Sequence, residues 1–179
     1  MNNFHGIELH PATAAFLAKP RRMLIGGEWV DALAGDTLPV VDPADGETFC
    51  RVPAGEAADI DRAVQAASRA FESGDWPKMR PVDRERLLLK LADLLEANAQ
   101  EFAELEAIDN GKPVTMARYV DVGLSVDFIR YMAGWATKIE GATMELSVPL
   151  VRYREFFGFT RREPVGVVGA IIPWNFPLL

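Results

Sequence analysis

The stretch from residue 166 to residue 179, GVVGAIIPWNFPLL, decides how this chain is read. Val165 to Ile172 make an unbroken apolar run of strand length, as expected of a strand covered on both faces of a parallel sheet. Pro173 has no N–H to give to a ladder, so the strand is expected to end at Ile172. Pro177 suits the first turn of a following helix, where the missing N–H has no partner anyway. PWNFP therefore reads as a strand-to-helix loop at the carboxyl end of a buried strand, where open α/β sheets bind ligands. Asn175 is the one short polar side chain in this loop. Its amide can donate to a developing oxyanion, or its side chain can cap the helix it precedes. On spacing alone the cap is the favoured reading. Gly166 and Gly169 stand within the strand and not in a turn that opens a helix, so they do not form a dinucleotide fingerprint. A lone parallel strand needs neighbours, and most of the sheet is expected in sequence outside this chain.

Working outward, residues 142–164 (ATMELSVPLVRYREFFGFTRREP) have strand spacing and form a polar-aromatic hairpin. Before them lie three helical segments. In the first, Ile60, Val64, Ala67 and Phe71 share a face and Gly74 ends the helix. The second runs from Pro81 to a stop at Asn110-Gly111 and Pro113. Its stripe is Leu87, Leu88, Leu91, Leu94 and Leu95, continued by Phe102, Leu105 and Ile108. The third spans about residues 114–138, with Val120, Leu124, Phe128, Met132 and Trp135 on or near one face. Residues 23–53 read as small antiparallel strands, with turns at Gly26-Gly27 and Asp45-Gly46 and a return strand TFCRVP. Residues 1–20 have weak periodicity and read as a surface arm.

The charge of −7 excludes the broad basic face that nucleic acid requires. No apolar stretch reaches the ~18 residues of a membrane span, and the first residues lack a secretory pattern. With 49% hydrophobic and 25% charged residues the chain is expected to fold. A single cysteine, Cys50, permits neither an internal disulfide nor a cysteine cluster, which fits a reducing cytoplasm. Cys50 sits in a presumed strand with no base nearby and reads as a packed residue, not a nucleophile. His5 and His10 read as tail residues, not a metal pair. Glu101, Glu104 and Asp109 read as the solvated side of a helix. Arg152, Arg154, Arg161 and Arg162 among aromatics admit a single-stranded nucleic-acid groove, but an edge strand or oligomer contact suits this acidic chain better.

The blocks IGGEWVDA, VVDPADGE, AVQAASRAF, AIDNGKP, RYMAGWATKIEG and FTRREPVGVVGAIIPWNFPLL stand in the order seen in the NAD(P)-dependent aldehyde dehydrogenase family, which the chain resembles over residues 22–179. Within that family, the RYMAGWATK and FTRREPVG neighbourhoods resemble its phenylacetaldehyde dehydrogenase type. The resemblance implies an α/β fold with a Rossmann-like cofactor domain. Residues 1–21 would be an arm, 22–141 the first part of the cofactor domain, 142–161 oligomerisation strands, and 162–179 the start of the cofactor sheet. It further implies that Asn175 is the side-chain donor of an oxyanion hole. Ile171, Ile172, Pro173 and Trp174 would line the nicotinamide side of NAD or NADP. Leu124, Phe128, Phe176 and Leu179 would line an aldehyde tunnel. Asp109, with the backbone of Val40, would help hold a structural monovalent cation. The partners implied are a small aldehyde and further copies of the chain, as a dimer or tetramer, with neither nucleic acid nor membrane. The family's nucleophilic cysteine and general-base glutamate match no residue here, so this chain is expected to be inactive alone. The alternative is a non-catalytic module that self-associates through residues 142–161.

Overall fold

A computed structural model describes residues 3–149 and 155–179. Its strands pair as separate antiparallel ribbons, and most of its helices pack together. The amino terminus is more ordered than its weak periodicity suggests. Strands β1 (Asn3–Phe4) and β2 (Ile7–Glu8) pair, and helix α1 (Pro11–Leu17) follows. His10 caps α1, its Nδ1 accepting from the Ala12 N–H at 3.3 Å. The helix is short, so few apolar positions mark it, but it buries Ala14 and, with Leu9, packs on Ile108. The expected arm is thus a packed element.

Ribbon β3 (Met23–Ile25) and β4 (Glu28–Val30) turns at Gly26-Gly27 as expected, with φ of 64° and 87°. Two successive positive φ values match the right-handed twist of the strands and favour glycine at both positions. Ribbon β5 (Thr37–Val41) and β6 (Thr48–Pro53) pairs Val40 with Cys50 and slips register between Val40 and Val41. Its turn is held by Asp42, whose carboxylate accepts the Ala44 N–H at 2.8 Å and whose carbonyl accepts the Gly46 N–H at 2.8 Å.

Helix α2 (Ala57–Ser73) ends at Gly74. The segment expected as one long helix is two, α3 (Pro81–Ala97) and α4 (Ala99–Asn110), broken at Asn98. There the Asn98 amide donates to the Leu94 carbonyl at 2.8 Å, a local bond that competes with helix continuation. The apolar spacing runs on across the break and conceals it. Helix α4 stops at Gly111, whose φ is 76°. The third helical segment is α5 (Val114–Met116), a π-helical stretch (Ala117–Val122) and α6 (Gly123–Trp135).

The helical core is made mainly of small residues: Ala92, Leu95, Ala103, Ala117, Val122 and Val126. Alanines at the contacts let helix axes approach closely, which favours the α3–α6 packing. The expected buried faces differ from those observed. Leu124, Phe128, Met132 and Trp135 are exposed, while Ser125, Val126 and Ala133 are buried. The π-helical stretch adds residues to the turn and rotates α6 relative to a continuous 3.6-residue pattern. Likewise Leu87, Leu91 and Leu94 are exposed and Leu95 is buried. On α2, Ile60, Val64 and Phe71 are exposed.

Strand β7 (Thr143–Glu145) pairs with β8 (Phe157–Phe159) across the segment expected to be a hairpin. Arg152 and Arg154 lie outside the described residues. The run Val165–Ile172, expected as a buried strand, carries no ladder and is open: Val165 is 91% exposed and Ile171 fully exposed. The described residues place no strand beside it, and an extended run without a partner has nothing to bury against.

Candidate functional site

Asn175 lies in a turn at Trp174-Asn175 that is docked onto the helical body. Its side chain is exposed and makes no hydrogen bond among the described residues. Two contacts hold the loop. Leu178 packs on the alanine-rich core. Lys112 reaches from the end of α4, its Nζ donating to the Asn175 carbonyl at 2.8 Å and lying 4.1 Å from the centre of the Phe176 ring. Lys112 follows the Gly111 turn, and its N–H donates to Asn110 Oδ1 at 3.0 Å, which fixes where its side chain starts.

The Lys112 ammonium is seated on two carboxylates. It bonds Asp121, which is fully buried in the π-helical stretch, and stands 3.5 Å from Glu106 of α4. Burial pushes the Glu106 carboxyl up to about 7, and its hydrogen bond and charge interaction with Asp121 add to the rise, against the pull of Lys112. Asp121 Oδ2 is buried and has no hydrogen-bond partner among the described residues. Both carboxyl groups are thus drawn around one ammonium in a buried setting, where charges need partners. Asn110 donates to Glu106 at 3.2 Å, and the Ser125 hydroxyl donates to the Asp121 carbonyl at 2.6 Å.

Of the expected site residues, Ile171, Ile172, Pro173 and Trp174 form one exposed edge beside Asn175. Phe176 is half-buried beneath Lys112, and Leu179 is exposed. Leu124 and Phe128 stand one turn apart on the exposed face of α6, a few residues beyond Asp121. Asp109 is exposed near the end of α4, and its charge acts on the Cys50 thiol, the cross-strand neighbour of Val40. The Asp109 carboxylate and the Val40 strand position are therefore brought to one region. Cys50 itself is unsuited to attack: burial pushes its thiol up, and Arg21 only partly opposes this.

Glu104, expected on a solvated face, is buried and accepts the His10 N–H at 3.0 Å and the Gln100 amide at 2.8 Å. The helix α1 that covers it was invisible in the spacing. His5 and His10 do not meet as ligands. His5 Nε2 donates to the Asp42 carboxylate at 2.6 Å, with Asp45 at 3.5 Å. The Asp42 hydrogen bond raises the His5 pKa above its ordinary value. A separate cleft of about 310 Å³, lined by Glu96, Arg118, Tyr119 and Asp127 among others, contains none of the expected site residues.

Sequence reasoning missed Lys112, Glu106 and Asp121. The available signal was a lysine placed inside a glycine helix stop, and lone carboxylates in otherwise apolar company (Leu105-Glu106-Ala107 and Val120-Asp121-Val122).

The fold and this loop define a class. The aldehyde dehydrogenase family model matches residues 29–179, and the chain belongs to that family. Its structure is the amino-terminal part of the aldehyde dehydrogenase fold. It is 50% identical over 163 residues to a phenylacetaldehyde dehydrogenase of Pseudomonas fluorescens, covering 91% of this chain and 32% of that protein. It is 47% identical over 159 residues to a mitochondrial aldehyde dehydrogenase of Equus caballus, covering 88% of this chain and 31% of that protein. Among solved structures, an NAD+ complex of an aldehyde dehydrogenase from Bacillus cereus superposes with a TM-score of 0.89 at 47% identity, over 96% of this chain and 34% of that one. The chain thus spans about a third of the length of the curated relatives named here.

Proposed function

We propose that this chain forms the oxyanion side of an NAD(P)-dependent aldehyde dehydrogenase that oxidises an aldehyde to a carboxylic acid, and that it is inactive by itself. The observation that carries this reading is the Asn175 loop. It is docked at two points and leaves its amide exposed beside an apolar edge. The Asn175 amide donates to the oxygen of the tetrahedral adduct, where charge appears only as the reaction proceeds. The sulfur that makes the adduct is a thiolate of the complete enzyme, and Cys50 does not supply it.

The edge Ile171–Trp174 fits a planar cofactor ring. It is apolar, exposed, and interrupted by Pro173, which has no N–H to satisfy. NAD(P), when bound there, accepts the reducing equivalents. Leu124, Phe128, Phe176 and Leu179 line the aldehyde's approach, and their apolar character favours an aromatic or aliphatic substrate. The Asp109 carboxylate and the Val40 carbonyl supply two oxygens toward a structural monovalent cation, fewer than the ~6 a hard cation takes, so further ligands complete it. The exposed Phe157 and Phe159 on β8 support self-association through residues 142–161 as a dimer or tetramer. Among the described residues no helix is long and apolar enough to cross a membrane. The acidic charge of −7 speaks against a nucleic-acid partner, and the single cysteine fits a cytoplasmic location.

The test is Asn175→Ala in a full-length enzyme carrying this sequence. Its kcat should fall by about 10²–10³. Turnover at the unsubstituted rate would remove Asn175 from the mechanism.

A further inference from the structure

We propose that Lys112 is a positioning residue for Asn175: from its seat on two buried carboxylates it holds the Asn175 backbone and the Phe176 ring, and so fixes where the Asn175 amide points. The proposal rests on the oxyanion reading of Asn175 given above.

The geometry runs in one direction, from a rigid interior to an exposed loop. Asp121 lies fully buried in the π-helical stretch, its backbone carbonyl accepting from the Ser125 hydroxyl. Glu106 stands on the neighbouring helix α4, tied to Asn110. An ammonium has three N–H donors arranged tetrahedrally. With Asp121 and Glu106 on its inner side, the outward donor is left for the Asn175 carbonyl at 2.8 Å. The same group lies over the Phe176 ring, a contact that strengthens as water is excluded. The Lys112 side chain is only 18% exposed.

This is a tie across 63 positions of sequence, and among the described residues it is the sole hydrogen bond joining residues 173–179 to the rest of the chain. Leu178 anchors the loop on its far side by apolar contact alone, which fixes place but not rotation. Lys112 supplies the directional constraint. The Asn175 carbonyl it grips and the Asn175 side chain share one Cα, so holding that carbonyl in place narrows the positions from which the amide can reach out.

The experiment measures loop order and catalysis separately. Backbone ¹⁵N relaxation on the 179-residue chain should give order parameters near 0.85 for Asn175 and Phe176, falling below about 0.6 in Lys112→Met. Because that substitution strands two carboxylates, a second variant combines it with Glu106→Gln and Asp121→Asn, which removes the tether without leaving buried charge. In a full-length enzyme carrying this sequence, the combined variant should lower kcat by up to about 10²-fold, the cost of a misplaced catalytic group, with KM for the aldehyde unchanged. Unchanged order parameters in both variants would overturn the proposal, as would full kcat in a variant whose loop has loosened. The relaxation measurement needs no activity, so its failure strikes the tether alone. Retained turnover in Asn175→Ala strikes the oxyanion reading instead.

Discussion

Gly111 ends α4, turns the chain toward Lys112, and packs against the β5–β6 turn, so a single methyl group there tests several contacts at once. Its φ is 76°, and a Cβ would stand 2.9 Å from Pro43 Cγ and 3.5 Å from Pro43 Cβ. The left-handed conformation costs an L-residue about 1–2 kcal/mol. The contact adds about 1–3 kcal/mol, because a proline ring cannot rotate away and one of two backbones must shift. Gly111→Ala should therefore lose about 2–5 kcal/mol of stability. Gly27→Ala is the matched control: its φ is 87° and a Cβ there meets nothing within 4 Å, so only the conformational cost of about 1–2 kcal/mol applies. Urea unfolding followed by far-UV circular dichroism measures both, provided the slopes agree. If Gly111→Ala falls within about 0.5 kcal/mol of Gly27→Ala, within the usual scatter of surface substitutions, the approach of α4 to Pro43 is not as described.

Two further substitutions probe the buried carboxylates. Asp59 lies in the first turn of α2, is 1% exposed, and accepts from the Leu33 N–H at 3.2 Å and the Glu56 N–H at 3.2 Å. Asp59→Ala leaves these donors unpaired and should cost about 2–4 kcal/mol in urea unfolding, whereas Asp61→Ala on the exposed side should be nearly neutral. Glu106 titrates near 7 when folded against an ordinary 4.5, so the folded chain binds more protons between these values. Its contribution is fully present below pH 4.5 and is lost as the pH rises through about 7. Chemical denaturation across that range should show stability declining, and Glu106→Gln should flatten the decline. A profile of identical slope in the variant would mean that another group takes up the proton.

Local turn chemistry was the most legible part of the fold. Gly26-Gly27, the Asp42–Gly46 turn and Gly111 each announce themselves, because few residues other than glycine and asparagine satisfy those backbone angles or side-chain bonds. The faces of the helices were less legible. Periodicity assumes an unbroken 3.6-residue turn, and the Asn98 break and the π-helical stretch both violate it without leaving an apolar mark. Helix α1 was missed because its partner, α4, lies about 90 residues further along, and its buried Thr13 and Ala14 carry little hydrophobic signal. At the site, Asn175 stood out for being the only short polar group in its loop. Lys112 did not, because its importance lies in what surrounds it: two carboxylates and a carbonyl that only folding brings together.

The wide turn at Ala117–Val122 makes chain length at this point an all-or-none quantity. Excising one residue would allow the bend to tighten to ordinary helix; five α-helical residues sweep about the same angle as six in a wider turn, so the upstream helix would keep its orientation to α6. Glu106 lies before that bend and Asp121 inside it, so the excision would re-aim one half of the lysine's cradle while leaving the other half and the helix content almost intact. Circular dichroism would scarcely register the change, and the damage would surface far away in sequence, at an amide that had lost its aim.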